Sequence, residues 1–336
     1  MRTAEIVLEY QNYIDYAPQA PEALHTKACE SDVTTIEAWR KTWEKNVLDN
    51  HKKYRSFAEH SIGKLYGYAH HKPVVIVGSG PSLKVNAHEL KNKKDVTVIS
   101  CLHNFHFLED IDCPADFYVS LDAGEVVVEE VYEGGSKSED AYWELTKGRK
   151  LLCYIGTSPR LLEKWQGEVY FFNAPVPDDN YNKYVEEIEV FNTFVSNGGN
   201  VLGACLYIAK AFFGASIVGF IGADFCFSYN KKFHAWDSKY DKKLGNVLRV
   251  KDVFGNSVYT WRSYNNFKGW FEYISMTVPG VYYNCSEGGT LGAYLEGNIR
   301  SIHQLPLRDF LRQVTMYEEI KDQAINSKIK EKKLLF

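Results

Sequence analysis

Lys72 to Leu83 read KPVVIVGSGPSL. The apolar run Val74–Val77 has the length of a buried parallel strand, and Gly78, Ser79, Gly80 and Pro81 break it into a loop. Small side chains at 78, 79 and 80 let backbone N–H groups approach an anion, and a helix starting near Ser82 would turn its positive end towards it. The expected ligand is a nucleotide phosphate. Two fingerprints are incomplete: Leu83 stands where GxGxxG needs a third glycine, and no Lys-Ser/Thr pair follows as in a P-loop. A strand-to-helix turn without any ligand explains the same residues.

Outward from this stretch, strand-like runs alternate with helix-length intervals: Val74–Val77, Val96–Ser100, Phe117–Leu121, Leu151–Tyr154, Val169–Phe172, Ile217–Ile221 and Tyr282–Cys285. The pattern predicts an α/β, Rossmann-like domain over 71–300, a mostly parallel sheet flanked by helices. Ligands of such sheets collect beyond the carboxyl ends of the strands. That rule selects the glycine loop, His103 and Asn104, Asp122, Asp224, and Ser286 to Gly289 with Glu287 and Gly288 among them. A second glycine signal, SNGGN at Ser196–Asn200, opens a helical run whose buried face is Val201, Ala204, Cys205, Ile208, Ala209 and Phe212. Its Asn197, Gly198 and Gly199 offer a second polar helix start, and a capped helix entering a crowded core accounts for them equally.

The flanks read differently. Residues 1–70 form a helical segment, with a capping box at Thr34-x-x-Glu37 and an apolar face of Ile36, Trp39, Trp43, Val47, Tyr54, Ala58, Ile62 and Leu65. Residues 301–336 read as a helical tail, with Leu307, Phe310, Leu311, Val314 and Tyr317 recurring at helical steps as an apolar face. Ser228 to Lys251 carries Lys231, Lys232, Lys239, Lys242, Lys243, Arg249 and Lys251 against Asp237 and Asp241, interleaved with Tyr229, Phe233, His234, Trp236 and Tyr240. Without a clean period it predicts a long lid, bounded at 226–265, over the cavity.

Composition narrows the classes. At 336 residues the chain can bury a sizeable core, and its seven cysteines show no CxxC or other metal spacing, as expected of reduced thiols in a cytoplasmic protein. No signal-peptide core and no apolar run of roughly 18 residues is present. A formal charge of −4 argues against a chain that coats nucleic acid, while leaving room for a local basic groove.

Taken together, GSGPSL, Asn104, the stretch from GGNVLGACLYIAKAFFGA to GADFCFSYNKKFHA, DVFGNSVYT and NCSEGG resemble the sialyltransferase-like domain of motility-associated factor (Maf) glycosyltransferases. The first three also resemble bacterial sialyltransferases that use CMP-sialic acid. The resemblance covers about 71–300. It implies that Gly78, Gly80 and Ser82 surround the donor phosphate and that Asn104 hydrogen-bonds the nucleotide. Gly198 and Gly199 would form a second donor loop, with Asp224 beside the nucleotide, and His234 matches the family's His-Ala pair. Where sialyltransferases place a tyrosine two residues after that aspartate this chain has Cys226, which leaves Tyr229 or a lid lysine to meet the leaving phosphate.

The expected chemistry is glycosyl transfer from a nucleotide-sugar, a CMP-sugar favoured, to a hydroxyl of a protein, a glycan or a modified DNA base. His234 would be the base, with His103 and His106 in reserve, and Lys231 or Lys232 would face the departing phosphate. No obligatory metal is expected, although Asp122, Asp224 and Glu287 would suit Mg²⁺ if they converged. Archaeal 6-hydroxymethylpterin diphosphokinases look similar over the same glycine loop and GAD segment, and imply Mg-ATP instead. A non-catalytic nucleotide-binding scaffold is the third reading. Oligomeric state is unreadable.

Overall fold

Four consecutive β-branched residues, Val74–Val77 (β1), have no solvent exposure, as befits an interior strand covered on both faces. The computed structural model describes residues 21–70, 72–228, 232–236, 247–294, 297–298 and 301–315. After β1 come Thr97–Cys101 (β2), Phe117–Ser120 (β3), Lys150–Tyr154 (β4), Glu168–Phe172 (β5) and Ile217–Ile221 (β6). Val247–Lys251 (β7) and Ser257–Trp261 (β8) pair as an antiparallel hairpin. Val281–Asn284 (β9), the short pair Ala293–Tyr294 (β10) and Gly297–Asn298 (β11), and Ile302–Gln304 (β12) complete the strands among the described residues.

Eight strands form one sheet in the order β12-β9-β6-β1-β2-β3-β4-β5, and every neighbouring pair is parallel. Ile76 therefore lies between Ile99 on one side and Phe220 on the other. The chain steps outward from β1 to β5, returns to the other flank of β1, and steps outward again. This is an α/β Rossmann-like fold with helices at both ends, and its sheet contains all seven expected strands.

Two local expectations change. Ile302–Gln304, placed by the sequence in a helical tail, is an eighth sheet strand paired with β9; with Ile302 its one buried apolar residue, it carries no readable period. Residues 307–315 are then helical, and Leu307, Phe310, Leu311 and Val314 are buried as expected; Tyr317 lies outside the described residues. The stretch read as unstructured lid ends in β7. Val247, Leu248 and Val250 are buried there, and Asp252 turns the hairpin by accepting from the N–H groups of Phe254 and Asn256.

The N-terminal helix runs Pro21–Tyr54, so the Thr34–Glu37 capping box falls inside it. Val47 is fully buried, but Trp39 is 39% exposed. Two polar residues one turn apart hold this helix to the sheet. Asn46 Nδ2 donates to the carbonyls of Ala123 and Gly156, and Asn50 Nδ2 to those of Ile155 and Thr157. These carbonyls lie just beyond β3 and β4, where a loop has no ladder partner to offer. No helix among the described residues is long and apolar enough to cross a membrane.

Asn50→Ala removes two buried hydrogen bonds and leaves both carbonyls in an apolar setting, so it is expected to cost about 2–4 kcal/mol. Urea denaturation checks this; a loss below ~0.5 kcal/mol would mean that water replaces the amide.

Candidate functional site

A cavity of about 260 Å³ opens at the carboxyl edge of the sheet, where the strand order reverses around β1. Such a switch point leaves a crevice because the two following connections diverge to opposite faces. Gly78, Ser79 and Gly80 enter it after β1, Cys101 to His103 at and after the end of β2, Val119, Ser120 and Asp122 at and after β3, and Gly222 to Cys226 after β6. Glu130, Asn200 to Leu202, Phe233, His234, Tyr264 and Phe267 complete the wall.

The glycines are present for close packing. Gly78 N–H donates to Ile221 O and Gly80 N–H to Gly222 O, both at 2.8 Å, so these two groups face the β6 loop and not a ligand. A Cβ on Gly78 would come within 2.5 Å of the Gly222 carbonyl oxygen, and one on Gly80 would overlap the Asp224 carboxylate. Gly222, at φ +61, answers from the other side. The expectation that the N–H groups at 78 and 80 cradle a phosphate is therefore not met. Ser82 is engaged likewise: its N–H and hydroxyl both donate to Asp224 Oδ2, at 3.2 and 2.8 Å.

The second glycine loop is also a packing device. Gly198 and Gly199 have φ of +56 and +86, and Cβ atoms there would overlap the Trp270 ring or press on Phe267. Asn197 Oδ1 accepts from Gly199 N–H, and Asn200 caps the following helix, Val201–Tyr207, through Gly203 N–H. The first-turn N–H groups of Val201 and Leu202 have no acceptor within a helix, and both residues line the cavity.

Three carboxyl groups share the cavity, and each is pushed above its ordinary range. Burial lifts Asp224 to about 6, against the opposing hydrogen bonds from Ser82. Burial also raises Asp122, and burial, Asp122 and Glu133 together lift Glu130 to about 8. Asp122 keeps an accessible surface, and as a lining residue it offers that surface to the cavity. Among the described residues no lysine or arginine lines the wall.

Phe233, His234 and Trp236 contribute an aromatic block. His234 stacks on Trp236 with centroids 5.4 Å apart and meets His103 edge-on at 4.7 Å. Trp236 is held in turn by His106 and Phe107. Burial, with His234 and His106 nearby, pushes His103 down to about 3 and keeps it neutral; His106 is lowered by burial too.

A family model described as 6-hydroxymethylpterin diphosphokinase MptE-like matches residues 45–230. The chain belongs to this MptE-like family. Among solved structures, the MptE-like chain is similar to a Maf glycosyltransferase from Magnetospirillum magneticum AMB-1, with 19% identity and a TM-score of 0.51. That likeness covers 70% of this chain and 34% of the other, so this chain spans about a third of that protein; at such identity it speaks for the fold. No curated protein matches the chain.

The MptE-like match holds both glycine loops, Asp122, Glu130 and Asp224, and it ends before Tyr264 and Phe267. Of the residues singled out in the sequence, Gly78, Ser79, Gly80, Asp122, Asp224 and His234 line the cavity. Asn104 does not join the lining: fully buried, it donates to Val77 O and Ser100 Oγ and ties β1 to β2. Glu287 turns away, its Oε1 accepting from Asn86 Nδ2 and Leu307 N–H, so it does not converge with Asp122 and Asp224. Gly288 only offers its carbonyl to Asn284. The NCSEGG loop is a buttress instead: Ser286 Oγ accepts from Ala223 N–H, and Thr290 N–H donates to Asp224 O. Behind it lies a buried ion pair, Lys268 with Glu272, whose carboxylate also accepts from Gly292 N–H. Lys232 pairs its backbone with Ser228 and does not line the wall; Tyr229 and Lys231 lie outside the described residues. Glu130, Tyr264 and Phe267 escaped the sequence reading, whereas Asn200 before an apolar run was a legible cap.

Gly80→Ala is expected to lose on the order of 1–3 kcal/mol through overpacking even without any nucleotide, whereas Gly288→Ala, whose Cβ would meet nothing within 4 Å, should be tolerated. Equal melting temperatures for the two would refute the packing account. Asp224 yields a pH test. Because its folded value lies above the ordinary one, the folded state holds the extra proton, so stability is intact below about pH 4 and declines as pH rises to about 6. Against Asp224→Asn, the wild type should lose about 2–3 kcal/mol over that window; a constant difference in urea midpoints from pH 4 to 7 would contradict it.

Proposed function

We propose that this chain is a glycosyltransferase domain that takes a sugar from a nucleotide-activated donor, a CMP-linked sugar being favoured, and passes it to an acceptor hydroxyl. The observation that carries this reading is the make-up of the cavity wall: three carboxyl groups and, among the described lining residues, no lysine or arginine to offset a phosphate. Two unit charges ~6 Å apart at an effective dielectric of ~20 repel by about 3 kcal/mol. A triphosphate multiplies that cost several times, and a donor with a single phosphate diester keeps it small. Val201 and Leu202 offer N–H groups for one phosphate, and Phe233, Tyr264 and Phe267 offer faces for a base or sugar. Burial and Asp224 keep the Cys226 thiol protonated, and an S–H is a weaker hydrogen-bond donor to a leaving phosphate than a tyrosine hydroxyl would be. The acceptor hydroxyl belongs to a protein, a glycan or a modified DNA base, and activity that falls steeply with salt would single out DNA.

The family description favours a second reading, diphosphate transfer from Mg-ATP to a hydroxymethyl group. Asp122 and Glu130 are the hard oxygen donors a magnesium ion would take there, and the ion would offset the repulsion just described.

Thermal shift against CMP, UDP, GDP and ATP, each with EDTA and with Mg²⁺, separates the two. CMP at a hundredfold excess over Kd should stabilise the protein by about 2.7 kcal/mol without metal. Stabilisation by ATP with Mg²⁺ alone would transfer the assignment to the diphosphokinase, and no response to any nucleotide would favour a non-catalytic scaffold.

A further inference from the structure

We propose that the groove between the helical segment 201–212 and the helix Arg262–Thr277 is a second ligand site, which takes a single long-chain carboxylate with its head on Lys210 and its chain along the apolar walls. The proposal is independent of the reaction that the carboxyl-edge cavity runs. The groove lies at the opposite, amino-terminal edge of β6 and β9, holds about 480 Å³, and shares no lining residue with that cavity. A space of this size is in the range that small-molecule pockets occupy. Its walls are Leu206, Ala211, Trp270, Ile274, Val278 and Pro279, and among the described residues Lys210 is the one charged group in its lining.

The amine is built into the groove. Ile208–Phe212 is a π turn, closed by Phe213 N–H donating to Ile208 O, and turns of this kind recur at functional sites. Lys210 Nζ donates to the carbonyls of Ala215 and Pro279, at 2.5 and 2.9 Å, and stands 5.5 Å from the centre of the Tyr282 ring. Gly280 makes room for it, since a Cβ there would come within 2.7 Å of Nζ. An ammonium has three N–H donors, so the two carbonyls leave one for a ligand. No carboxylate among the described residues pairs with this half-buried charge, and burial alone acts on its proton affinity, lowering it. A charge without a counter-charge beside apolar walls is costly, and an anionic ligand relieves the cost. The same surroundings set the ligand class. One cation flanked by two carbonyl oxygens balances one negative charge, whereas a phosphate dianion would hold its second charge against those oxygens. The walls then favour hydrocarbon, because each methylene taken out of water adds to affinity.

The test is calorimetric titration of the full chain with dodecanoate and with dodecanol, each below its aggregation concentration. The unaltered protein should bind dodecanoate and prefer it to the alcohol by at least ~10-fold, the worth of a hydrogen bond to a charged group. Lys210→Met should erase that preference. Ala211→Trp, at an exposed position where the new ring would occupy the groove and leave Lys210 in place, should weaken both ligands by at least ~10-fold. Absence of dodecanoate binding, equal affinity of the unaltered protein for acid and alcohol, or undiminished binding in Ala211→Trp overturns the proposal. A Lys210→Met protein that melts lower yet keeps the preference makes the lysine a tie between the π turn and the loops before β6 and β9, and overturns it as well. Co-sedimentation with phosphatidylglycerol vesicles without binding of free dodecanoate would assign the groove to a membrane surface instead.

Discussion

The site depends on two loops that touch backbone to backbone. Beyond the carboxyl ends of β1 and β6 the chains do not splay apart; Gly78 and Gly80 donate to the carbonyls of Ile221 and Gly222 at 2.8 Å, and a Cβ on either glycine would collide with the β6 loop. This contact brings Asp224 under Ser82, and the carboxylate then secures the turn into the next helix. The NCSEGG loop braces the same place from behind through Ser286 and Thr290. Three sequence features that look like separate ligand motifs thus form one joint, and the cavity is the space left on its far side.

The cavity's chemistry follows from that construction. Because backbone groups are used to close the joint, its polar equipment consists mainly of side chains from the β3 connection and of the first turn after Asn200. Carboxyl groups predominate, and burial raises their proton affinity above the ordinary range. An acidic pocket with aromatic faces and no cation among its described lining residues disfavours multiply charged ligands as much as it selects partners by contact.

Much of the fold was legible. Continuous apolar runs such as Val74–Val77 and Ile217–Ile221 can satisfy burial on two faces only in the middle of a parallel sheet, so seven strands and their common ligand edge follow from the residues. The glycines were legible as places of close approach, but sequence cannot say whether the approaching atom belongs to a ligand or to another loop. Asn46 and Asn50 were silent because polar residues within an apolar helical stripe resemble solvent-facing ones until the carbonyls they bind are in view. Glu130 sits in an acidic run that suggests a solvated surface, and only the folded chain shows it in the cavity wall beside Asp122 and His103. Ile302–Gln304 is too short to show a period and is defined by its partner, β9.

The central position of β1 has a consequence for biosynthesis. Its first neighbour, β2, follows closely along the chain, but its second, β6, comes only after β3, β4 and β5 have been made. Until Ile221 leaves the ribosome, Val74–Val77 forms the bare edge of a half-sheet, fully apolar over its four residues and guarded only at its start by Lys72 and Pro73. Long-range closure of this kind is slow because the loop entropy must be overcome before the contact forms. The nascent chain is therefore most prone to self-association, and most in need of a chaperone, during the interval in which its ligand cavity does not yet exist.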